Sequence, residues 1–265
     1  MYNLIRADLF KMRKSSMMKV LFGITFLSAV IIAVVAYMIP KGKIDPGMAE
    51  TFFLFSDINM ISILGAVIAG VLICGDFDNK TIHNAVASGC SRGSILLSKA
   101  IVLFSAMTFI LLPYIIITVI ALSTGTKFSM GAVGVGFLSI LTQESGTAFM
   151  ASEFFKLLIS MLTLIIVYAA QLSLCIPFAV VFKKPVFVVA VYYGLTILFA
   201  QITRLKNSFP TFESIFSCTP FGSIYTITKN DVGMLDIVKT ISGSLVFIII
   251  MLAVTYSMFK KSEIK

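Results

Sequence analysis

The chain has 265 residues, of which 58% are apolar and only 12% charged, against roughly 25% charged in an ordinary soluble domain. A mean hydropathy of +1.03, with 24 Phe, 14 Met and no Trp, excludes a normal water-facing surface and points to an all-α polytopic membrane protein. The net charge of +9 would suggest nucleic acid in a soluble chain, but membrane topology accounts for it and no nucleic-acid partner is expected.

Residues 2 to 14 carry Tyr2, Ile5, Leu9 and Met12 as a helical stripe, with Arg6, Lys11, Arg13 and Lys14 available for lipid phosphates or an acidic partner. This predicts an amphipathic helix lying on the membrane interface within residues 1–19. Apolar windows long enough to cross about 30 Å of hydrocarbon follow at about 20–39, 58–74, 100–122, 157–182, 185–202 and 240–259. The second reads as starting earlier, near Thr51, and the fourth and fifth are parted only by Lys183-Lys184-Pro185. The first run is too long for a signal-peptide core, and Tyr37-Met38-Ile39-Pro40 is a poor cleavage site, so it is expected to be retained. The whole chain, 1–265, reads as one transmembrane domain.

Lys and Arg set the orientation. With the amino terminus inside, thirteen lie on the cytoplasmic side and eight outside, where eight acids, Asp57 among them, balance them. Both termini are then cytoplasmic. No ionisable residue is expected in the middle of any span, which argues against ion-coupled transport and intramembrane proteolysis. The buried polar groups are neutral, and Ser160, Thr163 and Gln171 are candidates to line a pathway. Pro113 and Pro177 interrupt the third and fourth spans as hinges or as static kinks. Ala66/Gly70 and Ala29/Ala33 are small-xxx-small pairs that permit close helix approach or arise by chance. The four cysteines are scattered and imply neither a disulfide frame nor a metal site. A GxxxxGK[ST] phosphate loop is absent from the sequence, so any nucleotide energy must come from another chain.

The most informative stretch runs from Gly75 to Lys99, between the second and third spans and on the cytoplasmic side. Asp78 or Asn79 is suited to cap a short helix, and Gly89 to end it in a left-handed conformation. Ile82, Ala85, Val86 and Gly89 share one face of it; His83 and Asn84 point elsewhere. His83 alone is too little for catalysis, and no catalytic residue is assigned. A second stretch, 203–236, is too apolar for a solvated loop and too broken by Pro210 and Pro220 for a span. It reads as an external re-entrant segment before the last span, its aromatic residues closing an exit or only packing. Residues 123–153 read as a further external segment without a chemical motif.

The G-D-F-acid-x-x-T-I-x-N, small-x-G, S-R-G and S-K pattern from Gly75 to Lys99, with six spans and a basic amphipathic leader, resembles the type-2 class of ABC transporter permeases. The resemblance implies that this loop is the coupling helix, docking on a separate ATPase through Asp76, Asp78, Asn79, Thr81, Ile82, His83, Asn84, Val86, Ser88 and Gly89; otherwise it is a plain polar hairpin. It implies that the amino-terminal helix abuts the same ATPase, the alternative being an anchor without a partner. It further implies two ATPase copies that bind ATP and Mg, a second permease, identical or sister, and a bacterial plasma membrane. Cargo would be amphipathic peptides, such as bacteriocins, lantibiotics or peptide toxins, or hydrophobic drugs, with antimicrobial resistance as a role. Sodium or polysaccharide export stays open, as does a non-transporting immunity or scaffold protein.

Overall fold

The computed structural model describes residues 1–130, 134–143, 151–205, 216–227 and 233–261. These are almost entirely helical, with no strand among them, as expected where hydrocarbon offers the backbone no partner and each segment must satisfy its own N–H and C=O groups. Six helices or helical runs are long and apolar enough to cross a membrane: Ser16–Met38, Pro46–Asp78, Arg92–Ser123, Phe155–Phe182, Pro185–Ile202 and Met234–Lys260. The number agrees with the hydropathy reading; the second and third runs, at 33 and 32 residues, are longer than hydropathy alone predicts. A 32-residue helix extends roughly 48 Å, so the third run projects well past about 30 Å of hydrocarbon.

α1 (Tyr2–Lys14) ends at Ser15, whose extended backbone makes an elbow before α2 (Ser16–Met38). The inward face of α1 is formed by half-buried Leu4, Ile5, Asp8, Leu9 and Met12. Tyr2, placed on the stripe by periodicity, is 74% exposed, because the helix enters the bundle contact one turn later. After short turns and α3 (Ala49–Phe52), α4 (Asp57–Ala69) leads through a π-helical turn at Gly70–Cys74 into α5 (Gly75–Asp78). Ala66 is fully buried, and Gly70 lies against Pro185. α6 (Thr81–Ala87) and α7 (Arg92–Ser123) follow; Pro113 sits inside α7, which stays one helix.

α8 (Phe137–Gln143) packs against α2, α7 and α9 (Ala151–Ser173). α9 stops four residues before Pro177, which has no N–H to offer the Ser173 carbonyl, and α10 (Cys175–Phe182) resumes the same run after Leu174. Lys183, in the left-handed region at φ 54°, turns the chain into α11 (Pro185–Leu205). α12 (Pro220–Ile227) packs among α9, α11 and α13 (Met234–Lys261). Of the 203–236 segment, residues 206–215 and 228–232 lie outside the described residues.

The bundle has two distinct ends. At one, α1, the 75–99 stretch, the Lys183 turn and the end of α13 meet: Lys11 bonds Asp76, Lys183 Nζ stands 5.4 Å from the Phe77 ring, and Arg92 reaches the carbonyls of Phe259 and Lys260. This is the basic end. At the far end, Ser129 donates to the Ala36 carbonyl at 2.9 Å, and α8 closes over α4 and α9.

Candidate functional site

The Gly75–Lys99 stretch is built around charge. Asp76, on the last turn of the second run, is 2% exposed. One of its oxygens accepts from Lys11 Nζ at 2.8 Å and the other from Lys99 Nζ, which also bonds Asp8 Oδ2 at 2.6 Å. The two carboxylates and two ammonium groups form a neutral tetrad joining α1, α5 and α7. Its inner members are dry: the side chains of Lys99 and Asp76 are 9% and 3% exposed, whereas that of Lys11 is 60% exposed. Burying charges costs several kcal/mol per ion unless geometry and pairing offset it, and here each buried charge faces at least one opposite charge.

The tetrad sets where α6 lies. Thr81 Oγ1 donates to the Asp76 carbonyl at 3.1 Å, fixing the first residue of the helix to the turn before it. Capping differs from the expectation. Lys80, left-handed at φ 56°, takes the N-cap position without a side-chain bond, and Asn79 is spent in the other direction, its Nδ2 donating to the Gly75 carbonyl at 2.7 Å. Gly89 is left-handed, at φ +88°, as its type and place suggested.

The helix divides the sequence candidates into two sets. Ile82 is 3% exposed, and Ala85, Val86 and His83 are half-buried. Asp78, Asn79, Thr81, Asn84, Ser88 and Gly89 are exposed, with Lys80 among them. Asp76 and Ile82 are buried within the bundle: the first is held by two lysines, the second packs as the apolar anchor of its helix. Between α1, α6 and α7 lies a cavity of about 280 Å³ lined by Leu4, Ala7, Ile82, Ala85 and Ile95, with the tetrad at its wall. Among the four basic candidates on α1, Lys11 turns to Asp76 and is used inside the fold; Arg6, Arg13 and Lys14 are exposed.

Two residues outside the candidate set complete the basic end. Lys99 is the centre of the tetrad, and a lysine directly against an apolar window is itself a signal, because such a group needs a partner once the helix is buried. Arg92 donates at 2.8 Å to both the Phe259 and Lys260 carbonyls and stands 5.7 Å from the Phe259 ring. It satisfies carbonyls that the end of α13 leaves unpaired and ties that helix to the start of α7.

The pathway candidates do not form one lining. Gln171 is buried, donates to the Pro220 carbonyl at 2.9 Å, and borders a cavity of about 120 Å³ with Asn59, Ser62, Thr196, Phe199 and Phe221. Thr163 is buried and bonds its own helix at the Ile159 carbonyl, and Ser160 is half-buried; neither borders that cavity. Gln171 stands twelve residues from Lys183, roughly 18 Å along a helix, so the start of α12 reaches well into the bundle.

One buried acid contradicts the charge inventory. Asp57, counted as an external loop residue, lies within the Pro46–Asp78 run and is 1% exposed. Its Oδ2 accepts from the Phe137 N–H at 3.0 Å and from the Tyr168 hydroxyl; its Oδ1 has no hydrogen-bond partner among the described residues. Nearby, the Tyr114 hydroxyl bonds Ser28 and donates to the Phe55 carbonyl, each at 2.7 Å. Sequence missed this because Asp57 lies just before the second apolar window and counts with the external acids, and only the return of α8 over that end removes it from water.

A comparison with protein families finds that the family described as ABC-2 family transporter protein matches residues 4–201. No curated protein matches the chain.

Proposed function

The chain belongs to the ABC-2 transporter family and is a multi-pass membrane permease of an ABC exporter, and from that premise we propose that its basic end is the end that docks an ATPase. α6 is the coupling helix, with Asp78, Asn79, Thr81, Asn84 and Ser88 forming the exposed contact and Arg6, Arg13 and Lys14 of α1 flanking it. That end is cytoplasmic, in agreement with the excess of Lys and Arg there. Two copies of the ATPase bind ATP and Mg; this chain pairs with a second permease, identical or sister.

The observation that carries the reading is the tetrad. A coupling helix transmits force only if it is joined to what must move, and the Asp8, Lys99, Asp76 and Lys11 bonds join α6, through Asp76 and Thr81, to α1 and to the second and third runs. Displacing α6 therefore displaces three elements together. The cargo reading is an amphipathic peptide or a hydrophobic drug: the cavity at Gln171 is walled by aromatic and aliphatic side chains with a few neutral polar groups, which suits an apolar solute with hydrogen-bonding edges. For pairing, the support is that the α11 and α13 spans are each buried by only 11% within one chain.

Purification of the tagged chain from its native membrane in mild detergent, with mass spectrometry and an ATPase assay, tests the docking end. We expect a stoichiometric ATPase that is lost when residues 78–88 are replaced by a Gly/Ser linker. A chain that purifies alone even after cross-linking would overturn the reading and favour an immunity or scaffold role. Cargo is tested separately by export of labelled amphipathic peptide from vesicles, with sodium and polysaccharide as the competing cargoes.

A further inference from the structure

α4, the π-helical turn and α5 form one uninterrupted run from Asp57 to Asp78. Two of its acids are buried, Asp57 at its first turn and Asp76 at its last. They stand nineteen positions apart, roughly 28 Å of helix. One end of a single rod is thus fastened in the basic-end tetrad, and the other is fastened under α8.

The far fastening is narrow. Two neutral donors, the Phe137 N–H at the start of α8 and the Tyr168 hydroxyl of α9, converge on one oxygen of Asp57. Gly136, at φ +68°, lets the backbone before α8 come this close: a Cβ there would collide with Asp57 Oδ2 and the Tyr168 hydroxyl. The other oxygen, Oδ1, is buried and has no hydrogen-bond partner among the described residues. Beside Asp57, a void of about 10 Å³ is lined by Tyr114, Thr118, Phe137, Leu138 and Leu141. A buried acceptor left half satisfied is an element whose closed state is not fully stabilised, and both bonds that hold it end on one oxygen, so both depend on where α4 places that carboxylate.

We propose that Asp57 is a positioning residue for transport: it holds α8 closed over the far end of the bundle, and movement of the Asp57–Asp78 run, driven from the coupling helix, releases it. This rests on the docking-end reading for its driving force, but the fastening itself is independent of it. Motion at the basic end reaches the far end through a covalently continuous helix, with no chain of side-chain contacts required.

The test uses the full chain in sealed membrane vesicles of both orientations, with Cys90→Ser and Cys218→Ser to remove the less buried thiols and Thr118→Cys as reporter beneath α8. A membrane-impermeant maleimide is expected to label Thr118→Cys about tenfold faster in Asp57→Leu than with Asp57 intact, and at near the intact rate in Asp57→Asn, whose amide oxygen still accepts both bonds. Equal rates in Asp57→Leu and the intact chain would overturn the proposal. Tyr168→Phe, which removes a single hydroxyl, is expected to accelerate labelling several-fold; if Asp57→Leu does not accumulate, an unchanged rate in Tyr168→Phe overturns the proposal in its place. Acceleration seen only when the reagent is on the cytoplasmic side would sink the orientation and the docking-end reading while leaving the fastening in place. Adding ATP to the intact complex is expected to accelerate labelling as well, and a complex that exports peptide with no change in labelling would overturn the release step.

Discussion

The two ends of the Asp57–Asp78 run solve the same problem in opposite ways. At the basic end Asp76 is buried against two lysines, one of which also holds Asp8, so both of its oxygens are paired with cations. At the far end Asp57 is buried against a backbone N–H and a phenol, and one oxygen has no partner among the described residues. The first arrangement suits a joint that must stay together under load; the second suits a contact that opens. Both carboxylates are almost completely buried, so the difference lies in what faces them.

Breaking the basic end at its centre gives the largest effect. Lys99→Met leaves Asp8 without its partner and Asp76 with only the exposed Lys11, and removal of one member of a buried pair costs about 3–5 kcal/mol. We expect a markedly lower melting temperature in detergent and loss of the co-purifying ATPase. At the far end, Gly136→Ala should cost more than about 2 kcal/mol, since the left-handed backbone alone costs about 1–2 and the added methyl must displace Asp57 or Tyr168. The same melting assay reads it, and an unchanged midpoint would show that α8 is not seated on Asp57.

Smaller changes sharpen the contrast. Tyr168→Phe removes one donor from a buried acceptor and is expected to cost about 1–3 kcal/mol without loss of the ATPase, which separates the two ends by a binding readout. Lys11→Met is the weakest: its side chain is 60% exposed, and such pairs are worth about 0–1 kcal/mol. If Lys11→Met proved as damaging as Lys99→Met, the tetrad would have to be read as a single cooperative unit rather than as a buried centre with an exposed arm.

Much of this was legible in the chain itself. Six apolar runs, a helical stripe in a basic leader and the left-handed Gly89 follow from hydropathy, periodicity and residue type, each of which acts within a few residues. Charge at the basic end was legible as an excess. Its arrangement was not: Lys11 and Asp76 read as groups for an outside partner, since pairing across 65 and 91 positions of sequence leaves no local trace. Asp78 or Asn79 reads as a cap, but Lys80 takes that position and the Asn79 amide donates back to the Gly75 carbonyl.

Sequence by itself determined that this is a helical membrane protein with a short, weakly apolar helix between its second and third spans, because transfer from water to hydrocarbon is set residue by residue along the chain. Tertiary structure alone decided which charges leave water. Asp76 is buried because α1 folds back under the bundle and Lys99 meets it there; Asp57 is buried because α8 closes over the opposite end. Burial of an ion depends on its partners more than on its neighbours in sequence, and only packing brings those partners together.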